Sequence, residues 1–193
     1  DHLDLLQFHE IIRPTDPDRI LGPGGGMEAA LAAQQAGKVR FIGFTGHKDP
    51  GIHLKMIRSG FPFASAQMPL NVMDAHYRSF QHEVVPVAVD RGIGVLGMKA
   101  LAAGAILTSK LVTAAECLRF ALSLPTSVVI TGCESMRDLD QALAVGRHFV
   151  PYSADAMLTL LARTRPAGVS GEFERFKNTP DFDGTLQNPQ WLG

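Results

Sequence analysis

The amino-acid sequence predicts an α/β fold of about five βα units, arranged either as part of a (β/α)8 TIM barrel or as an open doubly wound sheet. Five short, apolar, β-rich runs begin near positions 3, 39, 64, 93 and 127. Their separations cluster around the roughly 30 residues of a βαβ unit. Each run ends in a small group of polar or unusual residues, which is where parallel α/β folds put their chemistry. A barrel closes with eight strands over roughly 250 residues, so five units leave it about three short. The shortfall falls on the N-terminal side, because the chain opens at Asp1 without an initiating Met, is already in a strand pattern by Leu3, and so reads as cut there.

The first strand runs from Leu3 to Phe8, with His9 and Glu10 at its end. A loop follows through Pro14, Pro17 and the glycine run of Gly22 to Gly26, leading into an Ala-rich helix over Met27 to Ala36. The glycine run lacks the Lys-Ser/Thr ending of a phosphate loop, so it reads as a flexible lead-in. Gly37 suits a left-handed helix stop. Val39, Phe41, Ile42 and Phe44 form the second strand, which turns polar at Thr45, Gly46 and His47. Asp49 caps the next helix, with Pro50 at its first position and Gly60 at its end. Phe63 to Met68 is the third strand. Asp74 is the expected cap of a fourth helix whose Tyr77, Phe80, Val84 and Ala88 share a face, with a kink or late start imposed by Pro86. Ile93 to Met98 is the fourth strand, followed by Lys99 and a small-residue loop through Gly104.

Thr113 and Glu116 have the spacing of a capping box, and Pro125 stops that helix. Ser127 to Thr131 is the fifth strand, Gly132 to Glu134 a tight turn, and Ser135 with Asp138 a further cap. An amphipathic segment starts near Ser153 with Met157, Leu160 and Leu161. The expected division is therefore a barrel-like part, 1–165, and an irregular tail, 166–193, whose Phe173, Phe176, Phe182 and Trp191 must dock or be disordered.

Composition excludes several function classes. The 193 residues are 46% hydrophobic and 19% charged, with a formal net charge of -1, which supports one sizeable core and offers no electrostatic footprint for nucleic acid or anionic lipid. The longest apolar stretch, Gly92 to Ser109, carries Lys99 near its middle and several glycines, so no membrane span is expected. No signal peptide is visible. Cys117 and Cys133 lack metal spacing and read as reduced thiols, giving an expectation of a cytoplasmic protein. His47, His53, His76 and His82 lack the i, i+4 spacing of a helical metal pair, and no metal site is expected.

The strand-end candidates are His9; Thr45, Gly46 and His47; Gln67; Met98 and Lys99; and Gly132, Cys133 and Ser135. A lone His or Gln at a strand end serves structure more often than chemistry. Lys99 is the sharpest single case, since a lysine after an apolar strand can lower its pKa and form a Schiff base, or can simply be a paired rim residue.

Taken in order, these motifs resemble the aldo-keto reductases, eight-stranded α/β-barrel oxidoreductases, from residue 1 to about 145 and in the sequence of that family's strands four to eight. Leu3 to His9 resembles the strand bearing the catalytic histidine. The stretch Gly37-Lys38-Val39-Arg40 through Thr45 resembles the family's Gly-Lys-x-Arg-x-Ile-Gly-x-Ser motif, where a hydroxyl residue and a following Asn bind the nicotinamide carboxamide; Thr45 fits and Gly46 departs. Gln67 matches a second carboxamide ligand. Met98 and Lys99 stand where the family often has an aromatic residue and Ser, and Leu101 to Gly104 resembles the loop beside the pyrophosphate. Gly132 to Ala142, with Cys133, Ser135 and Gln141, resembles the segment holding the adenosine end, although Asp138 and Ala142 replace the usual Arg and Asn, leaving both NADP(H) and NAD(H) open as cofactor. The resemblance implies hydride transfer to a small carbonyl substrate, with His9 orienting the substrate oxygen. The family's Asp, Tyr and Lys lie on strands that this chain does not contain. The expectation is thus an NAD(P)H-dependent aldehyde or ketone reductase in the intact parent. A Schiff-base lyase using Lys99, and a noncatalytic fragment that at most binds cofactor, are the alternatives.

Overall fold

The computed structural model describes residues 1–192. Five strands form one sheet in sequential order, each parallel to its neighbour: β1 (Leu3–His9), β2 (Val39–Thr45), β3 (Ser65–Pro69), β4 (Gly94–Met98) and the two-residue β5 (Val128–Val129). All strand C-termini therefore lie along one edge, which carries His9, Thr45 and Met98 as last strand residues, Gln67 two residues before the end of β3, and Gly132 just past β5.

Helices connect the strands. Between β1 and β2 lie α1 (Asp16–Leu21) and α2 (Gly26–Gln35). The first of these corrects the reading of 10–26 as loop. Pro17 sits in its first turn, where a missing N–H costs nothing, and buried Asp16 accepts from the amides of Ile12 and Arg13 at 2.9 and 2.8 Å. After β2 comes α3 (Pro50–Arg58), capped by Asp49 accepting from the Gly51 amide at 2.7 Å, with Gly60 beyond it at φ +86°. The helix expected after Asp74 is split into α4 (Phe80–Glu83) and α5 (Val85–Asp90), with Pro86 in the first turn of the second. Its cap is Ser79, accepting from the His82 amide. Asp74 is buried further upstream and reaches the same turn at a distance, accepting from the Phe80 and Gln81 amides at 3.0 and 2.8 Å.

The remaining helices are α6 (Ala105–Thr108), α7 (Ala114–Ser123), α8 (Met136–Arg147), α9 (Ala154–Gly168), α10 (Arg175–Asn178) and α11 (Gly184–Gln187). The capping box of Thr113 and Glu116 forms in full, and Ser135 and Ser153 cap α8 and α9. No helix among the described residues is long and apolar enough to cross a membrane.

One sheet face is covered. By the two-residue strand period, Leu6 and Phe8 of β1, Ile42 and Phe44 of β2, Ala66 and Met68 of β3 and Val95 of β4 point at the helices and build the main core with Met56, Ile57, Phe80, Val84 and Ala88. The alternate residues point the other way, and Leu3, Leu5, Phe41 and Val128 remain 57%, 36%, 48% and 51% exposed. At the far edge α8 has no buried residue and leaves Met136, Leu139 and Leu143 open.

The tail docks. Phe176 with Val72, Met73, Ile106, Cys117, Phe120 and Leu160 forms a second core, against which Phe173 and Phe182 pack. Its deepest anchor is Lys177, which is fully buried and spends its three protons on Asp74 Oδ1 at 2.7 Å, Glu174 Oε2 at 2.8 Å and the Tyr77 carbonyl at 2.8 Å. Asn71 donates to the other Glu174 oxygen at 3.0 Å.

Candidate functional site at the strand ends

The parallel register sets His9 beside Thr45 and Thr45 beside Gln67, so three of the candidate residues stand shoulder to shoulder on adjacent strands. Thr45 is buried, its carbonyl accepting from the Ile11 amide at 2.9 Å. The Gly46 amide donates to the Gln67 carbonyl at 3.3 Å. That carbonyl also receives His53 Nε2 of α3 at 3.0 Å. Because a carbonyl only accepts, His53 carries its proton on Nε2, and burial pushes its pKa down to about 4, fixing a neutral ring whose Nδ1 has no partner. The half-buried Gln67 side chain donates from Nε2 to Met98 Sδ at 3.3 Å.

Gly46 departs from the familiar Asn for a steric reason. A Cβ there would lie 2.3 Å from the Ile11 carbonyl oxygen, 2.8 Å from Ile11 Cγ1 and 3.0 Å from His53 Cε1. Nothing larger than hydrogen fits.

His9 is exposed at the open edge and lines a cleft of about 570 Å³ together with Phe8, Glu10, the glycine run and, from the tail, Thr185 and Trp191. Lys99 has left-handed φ, +54°, and its ammonium lies 5.1 and 5.0 Å from the ring centres of Phe176 and Phe182. Burial lowers its pKa while Glu10 opposes the shift. In the loop that follows, Ala102, Ala103 and Gly104 all have positive φ, +47°, +55° and +84°, and the turn is closed on itself by the amides of Ala102, Gly104 and Ala105, which donate to the carbonyls of Lys99, Leu101 and Ala102 at 2.9, 2.9 and 3.2 Å. Leu101 itself packs into the second core. Gly132, Cys133, Ser135 and Gln141 are exposed beyond β5, across the sheet from His9, with Ser135 engaged as the α8 cap.

Around the same edge the strand-end candidate His47 meets Glu10, Lys48 and Asp183, which sequence reading did not single out for the site. His47 donates from Nε2 to Asp183 Oδ1 at 3.0 Å, with Glu10 Oε1 4.0 Å away; Asp183 Oδ2 takes Lys48 Nζ at 2.7 Å. Glu10 in turn accepts from the Gly184 and Thr185 amides at 3.1 and 3.0 Å. Burial lowers the pKa of His47 against the opposing pull of Asp183. Glu10, His47 and Asp183 are the donor set among the described residues that could hold a metal ion, but Lys48 already neutralises Asp183, and the cluster is satisfied as a hydrogen-bonded anchor. A sequence window could not pair His47 with an aspartate 136 residues away.

A sequence model of the aldo/keto reductase family matches residues 1–117. The chain belongs to the aldo/keto reductase family. Among solved structures, the chain is similar to aldo-keto reductase AKR11C1 from Bacillus halodurans in its apo form, with TM-score 0.65 and 17% identity over 84% of this chain and 62% of that one. It is similarly related to the glycerol dehydrogenase AKR11B4 from Gluconobacter oxydans, with TM-score 0.64 and 17% identity over 87% of this chain and 60% of that one. A search of curated proteins gave no match. The chain thus spans about three-fifths of the length of the structures it matches, and at that identity the likeness speaks to fold.

Proposed function

We propose that this chain is the C-terminal five-strand part of a (β/α)8 barrel and that, joined to the three units that would complete the barrel, it works as an NAD(P)H-dependent carbonyl reductase. The observation that carries the reading is the register of His9, Thr45 and Gln67 at one sheet edge within a chain of this family. The bare inner face of Leu3, Leu5, Phe41 and Val128 supports closure by further strands, since such a face is otherwise left in water.

The residues present fit a nicotinamide nucleotide. The Gln67 amide has a thioether as its described partner, among the weakest acceptors available, and exchanges it at little cost for a carboxamide oxygen. Thr45 supplies a hydroxyl beside it. By the resemblance, the loop from Leu101 to Gly104 would hold the pyrophosphate, and the exposed turn at Gly132 to Ser135 with Gln141 on α8 would hold the adenosine end. Bound there, the nicotinamide supplies the hydride that reduces a carbonyl carbon. His9 then holds the substrate oxygen by a hydrogen bond from its imidazole, in the cleft it lines. Proton donation falls to groups on the completing units. The faces of Phe176 and Phe182 receive the Lys99 ammonium, whereas its burial favours the free amine that a Schiff-base lyase needs, so borohydride trapping on that lysine separates the two readings.

Titrating NADPH fluorescence and following its oxidation with a panel of aldehydes and ketones tests the reading. The 193-residue chain should bind weakly without turnover, and the chain joined to the completing units should reduce carbonyls. Substantial turnover by the chain alone would overturn the division of labour, and borohydride trapping of a carbonyl compound on Lys99 would overturn the reaction class.

A further inference from the structure

The tail does not dock at random: residues adjoining the candidate site on three different strands are those it grips. Glu10, next to His9, is held by the amides of Gly184 and Thr185. Lys99, next to Met98, lies between Phe176 and Phe182. His47, two residues past Thr45, and Lys48 both bind Asp183. Of these grips, the one on β2 acts on the segment that leaves Thr45. The Thr45 carbonyl is held by the Ile11 amide and the Gly46 amide by the Gln67 carbonyl, and the path beyond Gly46 is fixed by whatever holds His47 and Lys48. Asp183 does so from a position that is 1% exposed, with each carboxylate oxygen bound to a different residue of the 47–48 pair.

We propose that Asp183 is a positioning residue for the cofactor's carboxamide end, acting through His47 and Lys48 to fix the backbone that presents Thr45 beside Gln67. The inference rests on the carboxamide role proposed for Thr45 and Gln67. It makes the C-terminal segment part of the cofactor site without touching the cofactor, and so predicts that a change of one tail side chain alters nucleotide binding three strands away from the adenosine end.

Hydrogen exchange and NADPH fluorescence titration, both on the full chain, test this with four variants. Asp183→Ala should speed amide exchange across 45–48 and weaken NADPH about tenfold, the factor equivalent to one hydrogen bond to a charged group. Asp183→Asn keeps an acceptor for His47 and should recover part of both losses, a rescue that mere tail loosening would not produce. Arg175→Ala removes an exposed tail ion pair with Asp181 and should leave 45–48 exchange and NADPH affinity unchanged. If Asp183→Ala loses protection throughout the chain, His47→Phe cuts the same link from the other end with Asp183 still bound to Lys48, and should weaken NADPH to the same degree. Faster exchange confined to 174–185, with NADPH affinity intact, would overturn the positioning role. Absence of NADPH binding by the unaltered chain would instead overturn the carboxamide reading beneath it, whatever the exchange result.

Discussion

Replacing Lys177 with Met is the sharpest test of what holds the tail down. The ammonium is fully buried and bonded at 2.7 to 2.8 Å to Asp74, Glu174 and the Tyr77 carbonyl. Methionine fills similar volume, so the cavity contribution is small and the electrostatic one remains. Removing one partner of a buried ion pair costs about 3–5 kcal/mol, because the other charge stays behind unpaired. Here two carboxylates stay behind. Asp74 keeps the Phe80 and Gln81 amides, while Glu174 keeps only Asn71. Burial, with Asp74 close by and Lys177 opposing, already pushes Glu174 up to about 7, and without the lysine its pKa climbs further.

The folded state of the variant then binds more protons than the unfolded state. The loss is therefore greatest above neutrality and shrinks in acid, by at most ~1.4 kcal/mol per pH unit for one proton. We expect about 3–5 kcal/mol at pH 8 and clearly less at pH 5.5, measured by urea denaturation with linear extrapolation. Glu174→Gln with Lys177→Met should recover much of it by removing one stranded charge. A loss below about 1 kcal/mol at pH 8, or one that does not change with pH, would refute the buried-charge account.

Gln67→Leu should weaken NADPH about tenfold in fluorescence titration, the worth of a single lost hydrogen bond of ~1.4 kcal/mol, with the unfolding midpoint nearly unchanged. Thr113→Ala removes one half of the capping box of α7 and should cost about 1 kcal/mol by denaturation. Exposed Cys133 should react with a thiol reagent in the native protein, whereas Cys117, buried with its thiol pushed up to about 12, should react only on unfolding. Changing Met136, Leu139 and Leu143 of α8 to Glu should reduce self-association in sedimentation, since these side chains form the uncovered face of that helix.

The starts of several helices were legible because each element states its own limits. Asp49 and Pro50 open α3, Thr113 and Glu116 open α7, and Ser135 opens α8, all through bonds within four residues that a sequence displays. Where a local signal had a distant competitor, the reading failed. Asp74 has cap chemistry, but Lys177, 103 residues away, draws it into a buried network, and Ser79 caps instead. Helix α1 was missed because Pro14, Pro17 and the glycine run outweighed a six-residue segment held mainly by Asp16. The site divides the same way. His9, Thr45 and Gln67 follow from strand ends, while Glu10, His47 and Asp183 become a unit only through tertiary contact.

The crowding around Gly46 has a consequence for any attempt to rewrite this protein. A protein engineer wishing to install the Asn that resembled enzymes place after the hydroxyl residue would meet the Ile11 backbone itself at 2.3 Å, and a backbone cannot step aside as a side chain can. The substitution would have to be made together with a new path for the loop after β1 and a smaller residue at 53, three changes none of which is tolerable or useful by itself. Laboratory evolution by single steps should therefore find this position closed. On the reading proposed above, carboxamide recognition at this edge then rests with Thr45 and Gln67, because position 46 admits no side chain.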